Sequence, residues 1–418
     1  MHFSKSFAKI QKMELEQILH LSTLAKAQGG GGALFRTEFR QIILHKDKVF
    51  LALLGPRGVG KTMLLKQVHA QSNDSIYISL DTLEPDTDLF LLVQKLNQEF
   101  KFKKFLLDEV HYLEDINRFL KMIFDSLEVE IVFSSSVALK LVESAHDLSR
   151  RVKVIPTLPF TFREFLKFQS VPVPPAISWE DLLESNFTAE HIAHAPLFNK
   201  YLMGHNYAFS LEVDDIMPAL RANLEKVIGY DIPRLRSLNI DELNKIKKVF
   251  QFIARAPVSD VSPSSISNNL KITRYKACQY LELLEQAFIV RQVQPRGTNV
   301  MREPKILLTL PYRLLELPYK NAIGGLREDF ATSCFISAGM DFSYLKSIRG
   351  EKTPDFIVGK GTTEVVIEIG GSGKTFRQFK GMPEKLKKVI FSDQLEASNS
   401  KIPLFLLGYL ESCPVPRR

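Results

Sequence analysis

Gly55-Pro56-Arg57-Gly58-Val59-Gly60-Lys61-Thr62 has the residue types and the spacing to hold a chain of phosphates. Gly55, Gly58 and Gly60 open backbone angles closed to other residues, so the loop can wrap an anion closely. Its amide N–H groups point at that charge, as does the start of the helix predicted from Met63-Leu64-Leu65-Lys66-Gln67. Lys61 can reach β- and γ-phosphates, and the Thr62 hydroxyl can hold Mg²⁺. The cradle runs from Gly55 to Met63. An apolar run, Val49 to Leu54, precedes it, giving the strand, loop and helix that a nucleoside-triphosphate site requires.

A second run, Phe105-Leu106-Leu107, ends in Asp108 and Glu109. Buried parallel strands read this way, and α/β sheets place ligands at the carboxyl ends of their strands. Asp108 would join Thr62 in the Mg²⁺ shell, and Glu109 would polarise the attacking water. Ser134-Ser135-Ser136 ends a further apolar run, near the expected γ-phosphate. Ser135, or Ser136 beside it, is the candidate sensor there, though a hydroxyl could equally cap the next helix. Arg150 and Arg151 can stabilise charge on a transferring phosphoryl group, in cis or from a neighbouring subunit. They read equally as a solvated basic pair.

These groups need a sheet to position them. Strands are expected at Val49–Leu54, Ser75–Leu80, Phe105–Leu107, Glu130–Phe133 and Val152–Ile155, with helical patterns between. Such alternation argues a parallel sheet covered on both faces. The fold class expected is α/β: a P-loop core, then a helical connector and a winged helix. Phe160 to Phe165 is expected to pack a domain edge. Residues 1–28 read as an amphipathic helix through Leu15, Ile18, Leu19, Leu21 and Leu24, and Gly29 to Gly32 as a flexible break.

The composition, 45% hydrophobic and 24% charged over 418 residues, is that of a globular chain of several domains. No apolar run approaches the roughly 18 residues that span a bilayer, and no signal peptide is expected. Cys278, Cys334 and Cys413 lack metal-site spacing and point to a reducing, cytoplasmic setting. A net charge of +8 tolerates a polyanionic partner without requiring one. No guanine-reading Asn-Lys-x-Asp segment is evident, which favours ATP.

With GPRGVGKT, FLLDEVHYL at 105–113, IVFSSSVALKL at 131–141 and DLSRRVKVIPTLPFTFREFL at 147–166, the chain resembles prokaryotic AAA-type ATPases. Those proteins carry a C-terminal domain of unknown function with a restriction-endonuclease-like fold. REDF at 327–330 and TPDFIV followed by VVIEIGG continue the likeness, which spans about residues 35 to 410. In that family the serine segment usually begins with glycine, where Ser134 stands here. The resemblance implies a nuclease-like site of Glu328, Asp355 and Glu368. The lysine normally two residues after the glutamate is absent, since that position is Gly370. Lys374 could fold back to the vacant place. Gly371-Ser372-Gly373-Lys374-Thr375 is not expected to form a second phosphate loop, because Glu368 stands where that pattern needs glycine.

Five segments result: an N-terminal helix and glycine hinge at 1–34, the ATPase core at 35–170, and a helical lid or connector at 171–238. A winged helix follows at 239–298, and the nuclease-like domain, degenerate in its site, at 299–418. In the winged helix Ser265 to Leu270 and Arg274 to Gln286 form the helices, with the wing starting at Phe288. Lys271, Arg274 and Lys276 could reach DNA phosphates, or the module could serve packing alone. The function expected is an ATP-hydrolysing, Mg²⁺-dependent switch or motor coupled to nucleic acid, possible as a homo-oligomer and without a membrane. The alternatives are an ATP-regulated protein-interaction scaffold and an ATP-dependent nuclease.

Overall fold

The computed structural model describes residues 2–31, 34–84, 86–138, 148–297, 303–345, 353–359, 363–380, 382–398 and 400–412, with side chains from Leu15 on. Cys413 and the end of the 131–141 motif lie outside them. The chain divides into two compact units, Met1–Thr157 and Leu158–Arg418.

In the first unit α1 (His2–Gly30) and α2 (Thr37–Ile43) precede β1 (Phe50–Leu54) and α3 (Lys61–Ala70). β2 (Ser75–Ser79), α4 (Leu89–Phe100), β3 (Lys104–Asp108), α5 (Ile116–Ser126), β4 (Glu130–Ser135) and β5 (Val152–Pro156) follow. Every strand lies within two residues of its expected place. The sheet is five-stranded and wholly parallel, in the order β2-β3-β4-β1-β5. All five residues of β1 are buried, as expected of a strand covered on both faces. This is the α/β core of a P-loop NTPase.

The glycine run does not break α1, which continues through Gly29 to Gly30. A Cβ on Gly29 would stand 1.9 Å from the Lys66 carbonyl oxygen, so glycine here permits close packing of α1 on α3. The buried stripe runs Leu15, Ile18, Ser22, Ala25, Gly29, while Leu21 and Leu24 face solvent. Polar contacts lock it. Ser22 Oγ meets His69 Nε2 at 3.0 Å and accepts the Tyr77 N–H at 3.1 Å. Lys26 donates to the Ser72 carbonyl at 2.7 Å. The first helix is thus part of the core of this unit.

Among the described residues the second unit has two large apolar cores, besides a small cluster around Val366 and Ile390. One gathers Phe162, Phe330, Phe391 and Leu406. Phe160 to Phe165, expected to edge the ATPase core, therefore lies in this unit. Helix Phe162–Phe168 opens with a capping box between Thr161 and Glu164. Trp179 stacks on Phe391 at 6.3 Å between ring centroids, tying the connector into the same core. The other core surrounds Phe250, Tyr280, Leu284 and Ile306. It is built by helices Ile240–Arg255, Pro263–Leu270 and Arg274–Gln286, then an antiparallel hairpin, β6 (Val290–Val293) and β7 (Lys305–Leu308). Asn239, Ser262 and Thr273 cap the three helices with their side chains.

Helix Tyr319–Ser337 leads into a second sheet, ordered β12-β11-β10-β9-β8. β8 (Phe342–Tyr344), β9 (Phe356–Val358) and β10 (Val365–Gly370) are antiparallel neighbours. β11 (Lys387–Ser392) and β12 (Lys401–Pro403) continue parallel to β10. Among the described residues, no helix is long and apolar enough to cross a membrane.

Candidate active site

The loop after β1 has the backbone its glycines allow. Gly58 and Gly60 take φ of 84° and 93°, in the left-handed region. Gly55 has no room for a side chain, since a Cβ would stand 1.8 Å from the Thr157 carbonyl oxygen. Val59 is fully buried, and its carbonyl accepts a hydrogen bond from Arg36 at 2.8 Å. Met63 is exposed. Lys61, only 5% exposed, donates to the Gly55 and Pro56 carbonyls at 2.8 Å each and to Ser136 Oγ at 3.0 Å.

β3 brings the carboxylates. Asp108 is 2% exposed and accepts from Tyr77 Oη at 2.7 Å. It also accepts from Ser134 Oγ and bonds the Thr62 side chain. Burial pushes its carboxyl above the usual range, and the neighbouring Glu109 charge adds to that. A buried carboxylate beside a hydroxyl, short of positive charge, suits a hard cation with oxygen ligands. Thr62 and Asp108 are the residues that would hold Mg²⁺.

Glu109 follows with φ of 54°, an uncommon conformation for a residue with a side chain. Its Oε1 accepts from Ser136 Oγ at 3.0 Å and lies 3.4 Å from Arg57 Nη1, and its Oε2 lies 3.3 Å from His111 Nδ1. Ser136, rather than Ser135, therefore links the loop lysine to the candidate base. Ser135 turns the other way, toward His111 Nδ1 at 3.3 Å and the Val137 carbonyl at 2.8 Å. Ser135 is the last residue of β4, and Ser136 stands in the bend that follows it. Arg36, Tyr77 and His111 are contacts that the motif reading did not single out. His111 stands within FLLDEVHYL, whereas no local signal marks Tyr77.

Arg150 and Arg151 are not brought to this site. They precede β5, and the Arg151 carbonyl accepts from Phe50 N at 2.8 Å, at the amino end of the sheet. Five residues of strand, about 17 Å at 3.3 Å each, separate that end from the loop after Leu54. The two arginines thus lie apart from the loop of their own chain. Arg151 forms an ion pair with Asp125 at 2.9 Å, and Arg150 is exposed.

In the second unit the four residues expected at a nuclease-like site also come together. Glu328 lies on helix Tyr319–Ser337, Asp355 just before β9, and Glu368 on β10. Lys374 folds back over Gly370, where a Cβ would stand 2.4 Å from its Cε, and its ammonium pairs with Glu368. A second lysine, not anticipated, joins them: Lys305 of β7 lies 2.5 Å from Glu328 Oε2 and 3.2 Å from Asp355 Oδ1. Burial pushes the Glu328 and Glu368 carboxyls upward, and charge on Asp355 adds to it. Their neighbours in REDF are committed elsewhere, Arg327 to Asp393 and the buried Asp329 to Arg313. Among the described residues no group of three or more histidine, cysteine, aspartate or glutamate side chains is arranged to hold a metal.

Residues 47–166 match a family described as AAA domain, and residues 207–309 match a domain of unknown function, DUF8612. Uncharacterized protein MJ1637 of Methanocaldococcus jannaschii is 25% identical over 418 residues, covering 90% of this chain and 88% of that protein. Uncharacterized protein MJ1544 of the same organism is 24% identical over 268 residues, covering 60% of this chain and 57% of that one. Among solved structures, the S. cerevisiae Hsp104-ADP complex aligns with a TM-score of 0.31 at 16% identity, over 63% of this chain and 41% of that chain. The AAA match coincides with the sheet and loop described above, and supports ATP binding and hydrolysis by an AAA-type ATPase domain in this protein.

Proposed function

We propose that the protein is an ATP-driven switch or motor in which ATP turnover is coupled to a nucleic-acid partner. The observation that carries it is Ser136, hydrogen-bonded at 3.0 Å to both Lys61 and Glu109. This joins the group that would grip the β- and γ-phosphates to the group that would take a proton from water. Arg57 and His111 restrain Glu109 from either side. Mg²⁺ at Thr62 and Asp108 would neutralise charge on the phosphate oxygens. Exposed Arg150, remote from the loop of its own chain, fits a role across a subunit boundary, and so a homo-oligomer.

The nucleic-acid reading rests on two consecutive helices, Pro263–Leu270 and Arg274–Gln286, joined by a short turn and followed by an antiparallel hairpin. That is the order of a winged helix, with Lys271 exposed in the turn and Tyr275 exposed at the start of the second helix. One observation favours the scaffold reading instead. Arg274 is paired with Glu303 at 2.9 Å and Lys276 with Glu242 at 2.5 Å, so two of the three proposed phosphate contacts already hold carboxylates.

The helix, antiparallel strands and parallel continuation of the second sheet, with Asp355 just before β9 and Glu368 on the neighbouring β10, support a nuclease-like fold for the last domain. We assign it no cleavage. Free thiols at Cys278 and Cys334 fit a reducing, cytoplasmic setting. ATP hydrolysis by the full chain, measured with and without duplex DNA, tests the main reading. Stimulation by DNA is the expected result; turnover indifferent to DNA at low salt would leave the protein scaffold.

A further inference from the structure

The carboxylate cluster of the second unit has an unusual neighbour. Lys305 comes from the hairpin, not from the sheet that carries Asp355 and Glu368. In β7 it pairs in register with Val293, and its side chain is only 12% exposed. Its ammonium reaches Glu328 at 2.5 Å and Asp355 at 3.2 Å, and lies over the Phe356 ring, 4.5 Å from the centroid. Two carboxylates and one aromatic face thus hold a single cation. Asp355 cannot turn away, because its other oxygen accepts the Ile369 N–H at 2.9 Å.

We propose that Lys305 is the resident cation of this cluster, its ammonium standing between Glu328 and Asp355 where a divalent cation would otherwise be held. Removing that charge opens a site for a hard dication.

Charge and geometry support this. Glu328, Asp355 and Glu368 bring three negative charges, and Lys305 and Lys374 return two positive ones. With all three ionised, one charge stays uncompensated, and Glu368 Oε2 is buried with no hydrogen-bond partner. An isolated buried carboxylate is costly, so the cluster needs cations. An ammonium supplies one charge with N···O separations near 3 Å. Mg²⁺ would require oxygen ligands drawn in to about 2.1 Å in octahedral array, and Lys305 keeps Glu328 and Asp355 apart. The inference deepens the reading of the last domain as inert. It rests on where these five side chains lie, and not on the nucleic-acid reading.

Mn²⁺ binding followed by electron paramagnetic resonance tests it, on the nucleotide-free full chain with Asp108→Asn in every variant to silence the first unit. The Asp108→Asn parent should take up no Mn²⁺ with Kd below about 1 mM. Lys305→Met should gain one Mn²⁺ per chain, lost again on adding Asp355→Asn, and Lys305→Arg should gain none. A parent that binds Mn²⁺ and loses it in Asp355→Asn would overturn the proposal, as would a folded Lys305→Met that gains nothing. Should Lys305→Met not fold, Lys305→Met with Glu328→Gln removes one charge of each sign and should recover folding. No recovery would equally overturn the assignment.

Discussion

Lys61 and Ser136 stand 75 positions apart in sequence, yet the lysine ammonium donates to the serine hydroxyl at 3.0 Å. The same hydroxyl donates to Glu109, so one small side chain joins the residue proposed to grip phosphate to the residue proposed to activate water. Ser136→Ala should lower kcat for ATP hydrolysis by about 10- to 100-fold, the effect of losing a hydrogen bond between charged partners. Ser135→Ala should change it by less than about threefold. Steady-state phosphate release decides between them, and a larger loss in Ser135→Ala would return the sensor role to that residue.

Glu109→Gln should keep nucleotide affinity and lose hydrolysis by about 10²- to 10⁴-fold, because the phosphate and metal contacts survive while the base is gone. Lys61→Ala should weaken binding itself. Fluorescent-nucleotide titration alongside single-turnover hydrolysis separates the two effects. Parent-like turnover in Glu109→Gln would remove that residue from the mechanism.

Arg150 and Arg151 lie at the opposite end of β5 from the loop, which fits the proposed action on phosphate from a neighbouring subunit. Specific activity should then rise with protein concentration. Mixing an Arg150→Ala, Arg151→Ala chain with a Lys61→Ala chain should restore some turnover, each supplying what the other lacks. Concentration-independent activity without rescue would assign the arginines to structure, as the Arg151–Asp125 pair already does for one of them.

If helix Arg274–Gln286 faces DNA, affinity should fall steeply with salt as counterions are released. Lys271→Ala should flatten the salt slope by about one phosphate contact. Arg274→Ala and Lys276→Ala should each flatten it less, since both cations must first leave Glu303 and Glu242. Fluorescence anisotropy over a salt series measures this, and no binding at low salt would favour the scaffold.

His69 ties α1 to the first unit through Ser22 and Ser75, at 3.0 and 2.7 Å. Burial lowers its pKa from 6.5 to about 4, so the folded chain keeps it neutral. Between those values the unfolded chain takes up a proton that the folded chain refuses. Stability from this group is therefore full above about pH 6.5 and lost as pH falls toward 4. Thermal unfolding across that window should show the loss in the parent and a shallower dependence in His69→Gln.

Features carried by local pattern were legible in the chain itself. The glycine loop, the five strands of the first sheet and helix Arg274–Gln286 follow from glycine placement, apolar runs and helical period, which act over neighbouring residues. The course of α1 was read less well. Its buried stripe passes through Ser22, Ala25 and Gly29, small residues that carry little hydrophobic signal but let α3 approach. The Gly29 to Gly32 run therefore reads as a hinge where packing makes its first half helix.

Tertiary structure alone decided the rest. The order β2-β3-β4-β1-β5 inserts β4 between the strand bearing the loop and the strand bearing Asp108, which is why a serine at the end of β4 bridges them. The bend that follows that strand, not its composition, brings Ser136 to Lys61 and Glu109. Lys305 meets Glu328 and Asp355 because a hairpin from another module packs against the sheet, and no spacing along the chain records that approach. Local sequence sets which chemistry is available, because motif and period are short-range. Which groups meet depends on strand order and packing, because those contacts join residues that are far apart along the chain.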